Sequence, residues 1–189
     1  TAGLEDISQK GWETVVRTNL TGGFLMSREL YRQCMKEQGA GVIVNITADA
    51  WMSLPTMGHS GAARAGMENF TMTAAVEWGR HGIRVNSVAP GWIITSGFDT
   101  YGSDWGDHMR SLEKYEPLNR LGREAEVSAA IVFLLSPAAA FISGSCIRVD
   151  GAAPNLQHNF PLPEGPGNKH FDGFHREVMP KVFDNSDDN

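Results

Sequence analysis

Arg64 is the residue whose surroundings most demand a chemical explanation. It stands in His59-Ser60-Gly61-Ala62-Ala63-Arg64-Ala65-Gly66-Met67-Glu68-Asn69, on a helix face otherwise built of Ala and Gly. A permanently charged, planar guanidinium on so smooth a face needs a partner. The polar groups of a cofactor are the natural one, although a carboxylate such as Asp49 would also serve. The small residues let something approach closely, either a cofactor or a second helix. His59 reads first as a helix-start residue that caps or points to solvent, and only second as an acid. Ser60 and Thr47 offer hydroxyl donors, the latter at the end of an apolar run.

The elements that must position these groups follow from the pattern. Val42-Ile43-Val44-Asn45-Ile46-Thr47 is β-branched and apolar on both faces, as a strand covered by helices on each side should be. A helix over 60–80 follows, then strand-like runs at 83–89 and 145–149. Strand, helix, strand and Pro90-Gly91 is the layout of an α/β parallel sheet, whose ligands bind outside the carboxyl ends of the strands. Upstream, Trp12, Val15, Val16, Leu20, Phe24, Leu30, Tyr31, Cys34 and Met35 recur at three- and four-residue steps, predicting a long helix from the N-cap Ser8 to Gln38. Gly22-Gly23 inside it costs about 1 kcal/mol per glycine against Ala, so close packing against a neighbouring backbone is expected. Residues 92–118, with Trp92, Phe98, Tyr101 and Trp105 but no clear period, read as a flexible substrate-side lid. A helix over 123–135 comes next. The sequence thus divides into a domain over 1–153 and an extended arm over 154–189, with one helical turn around 171–179.

Composition excludes several classes of function. With 189 residues, 41% hydrophobic content and a formal charge of −6 without long like-charge runs, nucleic acid is not an expected partner. The apolar runs are too short for a membrane helix, and no basic-then-hydrophobic leader opens the chain. Cys34 and Cys146 fall inside regular elements and read as reduced core thiols. A soluble protein inside the cell is expected, its compartment open, because the tail Ser186-Asp187-Asp188-Asn189 is no peroxisomal address. His158, His170 and His175 with Asp172 and Glu177 match no common zinc spacing, so no metal is expected.

Asn19-Leu20-Thr21-Gly22, Val44-Asn45-Ile46-Thr47, Arg84-Val85-Asn86-Ser87-Val88-Ala89-Pro90-Gly91, Ile94-Thr95, Phe133-Leu134-Leu135-Ser136 and Val149-Asp150-Gly151 together resemble the short-chain dehydrogenase/reductase family over about residues 8–153. The stretch 60–66 and the Pro/His/Asn-rich arm are most similar to its enoyl-CoA and 2,4-dienoyl-CoA reductase branch. The resemblance implies the C-terminal portion of a doubly wound, Rossmann-type parallel sheet. The family's glycine-rich phosphate cradle has no counterpart here. An isolated chain is therefore expected to expose an unpaired sheet edge, and to be part of a longer protein or to need a partner.

The resemblance also implies roles. Ser60 and Arg64 occupy the positions where most of the family carries a catalytic tyrosine and a ribose-binding lysine. In the branch, an acid tyrosine is assigned just after Gly66, where Met67 stands. Asn19 matches the residue supporting a proton-relay water. Pro90, Gly91, Ile93 and Thr95 match cofactor-binding positions, Thr95 at the nicotinamide amide, and Arg64 belongs with them. The implied cofactor is NADP, with NAD the other form.

Reducing an enoyl thioester needs hydride delivery and a donor for the developing enolate oxygen, not a phenol. Thr47, Ser60, His59 and Tyr101 are the candidate donors. The implied function is reduction of an acyl-CoA-like substrate by a homo-oligomer associating through the long helix and helix 60–80. Two alternatives stand beside it: a non-catalytic relative acting in assembly or binding, and a conventional carbonyl or alcohol dehydrogenase.

Overall fold

A computed structural model of the chain describes residues 1–50, 53–100, 103–157, 159–171, 173 and 180. The chain divides into two compact units: Thr1–Ala89 with Ile131–Arg148, and Pro90–Ala130 with Val149–Asn189.

The first unit opens on a helical rod. Helix α1 (Gln9–Val16) is capped by Ser8, whose Oγ accepts the Gly11 N–H at 3.1 Å. A π-helical turn (Arg17–Thr21), α2 (Gly22–Leu30), a second π turn (Tyr31–Met35) and α3 (Lys36–Gln38) continue it. Gly39 ends the rod in the left-handed region, at φ 64°. The long helix is thus present as expected, but the two π turns carry no signal in the three- and four-residue pattern.

Strand β1 (Gly41–Ile46) leads to α4 (Gly58–Gly79) and β2 (Ile83–Pro90). β1 and β2 are parallel, in register from Gly41 opposite Ile83 to Ile46 opposite Val88. The final strand of the sheet, β5 (Cys146–Val149), lies on the other side of β2. Gly144 N donates to Val85 O at 2.7 Å and Ser87 N to Ser145 O at 2.9 Å, bonds that climb both segments in one sense. β1 has β2 as its one partner among the described residues.

The helices pack on this sheet through Ile43, Ala74, Trp78, Ile83 and Val85, with Tyr31 and Met35 of the rod against them. Tyr31 stacks on Trp78 with ring centroids 4.4 Å apart and bonds His81 Nδ1 at 3.0 Å, so this phenol is spent at the far end of α4. At Gly23 and Gly66 the crowding comes from side chains. A Cβ on Gly23 would meet Met67 Cε at 2.4 Å, and one on Gly66 would meet Leu20 Cδ2 at 2.9 Å. What Gly23 admits is therefore a methionine side chain rather than a neighbouring backbone. What approaches the smooth start of α4 at Gly66 is the rod.

In the second unit, β3 (Ile93–Ile94) precedes α5 (Ser103–Leu112) and pairs in parallel with β4 (Gly122–Arg123). Ile94, Met109 and Leu121 form a small core with Phe98 and Leu112 around it. The segment that lacks a sequence period thus has a buried centre of its own. Helix α6 is Glu124–Leu135. In the first unit, the Arg84 guanidinium donates to Leu134 O at 2.8 Å and Ser136 O at 3.2 Å, closing the end of α6. Asn86 bonds Ile142 O and Ser145 N, at 2.8 and 3.0 Å.

Most of the expected helical turn around 171–179 lies outside the described residues. The arm before it is tied down: Asn119 Nδ2 donates to Gly165 O at 3.0 Å, and Arg120 Nε to Asn168 Oδ1 at 2.7 Å.

Candidate active site

In the first unit the C-terminal end of β1 meets the first turns of α4, and three polar contacts at successive helix levels join them. Arg64 Nη1 donates to the carbonyl of Ile46, the last residue of β1, at 2.5 Å. Thr47 Oγ1 lies 3.1 Å from Glu68 Oε1, and Asn45 Nδ2 donates to Thr71 Oγ1 at 2.8 Å. Residues 64, 68 and 71 fall on one face by helical geometry, which is why one strand end can reach all three.

Arg64 therefore sits at the strand tips. Its Nε is buried and has no acceptor. Burial pulls the guanidinium below its ordinary pKa, although arginine stays charged. The side chain as a whole is only part-buried, so it keeps accessible surface on which a ligand can place an acceptor.

Ser60 lies one turn before Arg64. Its backbone N–H bonds His59 Nδ1 at 2.9 Å, so His59 spends that nitrogen inside the first turn of α4. Thr47 is only 3% exposed. Its hydroxyl has one proton and two inward acceptors, Glu68 Oε1 and, at 3.3 Å, Val88 O. Asn19 falls in the first π turn, next to Leu20, which seats against Gly66. π turns inside α-helices are frequent at functional sites. Met67 is buried in the rod–α4 contact.

The sequence reading passed over Glu68. Its Oε1 accepts from Thr47 and lies 3.6 Å from Cys146 Sγ on β5. Burial pushes the Cys146 thiol up in pKa. The Glu68 charge and hydrogen bond add to that rise, while hydrogen bonds with Ser87 and Thr47 oppose it. The available signal was a carboxylate on the helix face that also bears Arg64 and Thr71.

The second unit holds Pro90, Gly91, Ile93 and Thr95. Pro90 ends β2, and Gly91 N donates to Val149 O at 2.9 Å. A Cβ at Gly91 would come within 2.8 Å of Asp150 Cα, so the backbones can meet only without a side chain. Ile93 begins β3, and Thr95 Oγ1 accepts the Gly97 N–H at 3.2 Å. Tyr101, His158, His175, Asp172 and Glu177 lie outside the described residues. Among the described residues no group of three or more His, Cys, Asp or Glu could hold a metal, and no helix is long and apolar enough to cross a membrane. Cys34 and Cys146 are free thiols.

Residues 1–152 match the family model described as enoyl-(acyl carrier protein) reductase. A probable 2,4-dienoyl-CoA reductase of Bacillus subtilis is 38% identical over 149 residues, covering 78% of this chain and 59% of that protein. The peroxisomal 2,4-dienoyl-CoA reductase of Rattus norvegicus is 40% identical over 151 residues, covering 78% and 50%. Among solved structures, a citronellol catabolism dehydrogenase of Pseudomonas aeruginosa PAO1 superposes with a TM-score of 0.68 at 58% identity, over 80% of this chain and 58% of its own. A gluconate 5-dehydrogenase from Burkholderia cenocepacia, in complex with NADP and tartrate, gives 0.74 at 28% identity, over 82% and 61%. The chain thus spans between half and three-fifths of the length of these relatives.

Proposed function

Because the chain belongs to the short-chain dehydrogenase/reductase family, we propose that it serves in an NADP(H)-dependent oxidoreductase that reduces an enoyl-CoA or similar unsaturated thioester. The observation that carries this reading is Arg64 at the tip of β1, part-buried and anchored on Ile46 O, at the position where the family carries its ribose-binding residue. A nicotinamide ribose offers hydroxyl acceptors to such a guanidinium. When bound, the cofactor supplies the hydride.

The chain's own residues do the rest. Arg64 holds the sugar and contributes positive potential where the substrate becomes negative. Ser60, one turn away, donates a hydrogen bond to the enolate oxygen; a hydroxyl can do so without ionising. Thr47 is less suited, because its one proton is engaged inward. Asn19 supports a relay water. The dienoyl-CoA reductase relatives support an acyl-CoA-type substrate. The solved neighbours include one complex with NADP and one with NADH, and NADPH is the reductant in this reading. Exposed apolar side chains on the rod and α4, Met26, Met72 and Val76 among them, support self-association.

A second reading, a carbonyl or alcohol dehydrogenase, is favoured by the 58% identity to a citronellol catabolism dehydrogenase. Against it stands the serine at position 60, a poor acid at neutral pH.

The test is oxidation of NADPH by the full-length protein with a trans-2-enoyl-CoA, beside a ketone/alcohol pair, and the same assays on Arg64→Ala. Turnover of the thioester that falls at least ~100-fold in the variant supports the proposal. Turnover of the alcohol pair alone favours the second reading, and no turnover of either by the wild type sinks both.

A further inference from the structure

Apolar packing of α4 on the sheet, through Ala74 and Trp78 on Ile43, Ile83 and Val85, is non-directional. It holds the helix down but does not set its height along the strands. An α-helix rises about 1.5 Å per residue, so a slip far short of one residue moves Arg64 away from Ile46 O. The directional contacts lie nearer its start, at Arg64, Glu68 and Thr71, and among these three Glu68 is the one that meets both the end of β1 and β5. Glu68 Oε1 takes the Thr47 hydroxyl just past the end of β1 and lies 3.6 Å from the Cys146 thiol on β5, on either side of β2.

We infer that Glu68 is a positioning residue: its carboxylate, bridging Thr47 and Cys146 one turn below Arg64, sets the height of α4 on the sheet and so places the Arg64 guanidinium. The inference deepens the proposed function and rests on Arg64 as the cofactor contact. Glu68 acts only through another residue. The three groups are mutually suited to this task, since the hydroxyl and the thiol both donate and the carboxylate only accepts. The arrangement also explains why Thr47 is turned inward. Its proton serves the helix rather than a ligand.

The test uses the full-length protein with Glu68→Gln, which keeps an acceptor but removes the charge, and Glu68→Leu, which removes both. Hydrogen exchange of the Gly58–Gly66 segment should rise at least ~10-fold in Glu68→Leu relative to the Phe70–Trp78 segment. NADP(H) affinity should fall roughly 10- to 100-fold, since a displacement of about 1 Å is costly for an oriented contact. Glu68→Gln should restore both to within about threefold of wild type, on the same argument. In a Cys34→Ser background, the Cys146 thiol should titrate at lower pH in either variant, because the Glu68 charge and hydrogen bond both raise it.

Unchanged exchange at 58–66 in Glu68→Leu overturns the inference, whatever happens to the nucleotide, and so does a Cys146 titration that does not move. Faster exchange with no nucleotide binding even in the wild type sinks the cofactor reading and leaves the positioning role standing. If Glu68→Leu does not fold, Thr47→Val cuts the bond from the other end and must give the same local loss of protection.

Discussion

Removing Arg120 should free the arm and weaken the second unit. Arg120 Nη1 and Nη2 hold Glu126 at 2.8 and 2.6 Å in a two-pronged pair, with side chains only 12% and 16% exposed. Its Nε also donates to Asn168 O and Oδ1, at 3.1 and 2.7 Å, and its Nη1 to Leu121 O at 3.1 Å. The bonds to the exposed arm are replaced by water when lost and contribute little. The pair is different. Breaking a fully buried pair by removing one partner costs about 3–5 kcal/mol, and an exposed pair about 0–1 kcal/mol. Glu126 keeps the Arg123 N–H at 2.9 Å and one from Phe171, so the loss should fall at about 2–3 kcal/mol. That lowers Tm by roughly 4–12 °C in a chain of this length. Burial alone would raise the Glu126 carboxyl, but Arg120 and the two backbone donors outweigh it and hold its pKa below the usual carboxylate range. A folded-state pKa below the unfolded one means the contribution is present above the unfolded carboxylate value and fades as pH falls through the folded one. Calorimetry of Arg120→Ala across pH, with hydrogen exchange of residues 165–171, reads both effects. A loss under about 0.5 kcal/mol, with the arm as protected as before, refutes the assignment and makes the pair an ordinary surface contact.

Two further substitutions separate kinds of crowding and capping. Gly91→Ala drives a Cβ to 2.8 Å from Asp150 Cα, where backbone must move, whereas Gly23→Ala meets the flexible end of Met67. Urea unfolding should give a loss of about 1–3 kcal/mol for the former and under about 1 kcal/mol for the latter. Arg84→Met keeps the stem but leaves the carbonyls of Leu134 and Ser136 without their charged donor, so about 2–3 kcal/mol should be lost in the same measurement.

The elements with strong periods were legible in the sequence, and their chemistry was legible only where a residue violated its own pattern. Val42 to Thr47, the helix beginning near Ser60 and the run Ile83 to Ala89 each stand within two residues of where the pattern puts them. Arg64 was visible as a charge among Ala and Gly. The π turns were not, because a single i to i+5 bond shifts later side chains without changing residue types. The segment 92–118 hid its core because Ile94, Met109 and Leu121 are far apart in sequence and meet only after β3 pairs with β4. Glu68 hid for a different reason. An exposed glutamate is so ordinary on a helix that its face must be known before it becomes informative. Its partner Thr47 looked like a catalytic hydroxyl for the same cause: sequence places a hydroxyl at a strand tip but not the direction in which its proton points. Arg84 and Asn86 reverse the lesson. They carried the family resemblance, yet both bind the turn that leads from α6 into β5. A motif of this kind marks where a fold must be tied together.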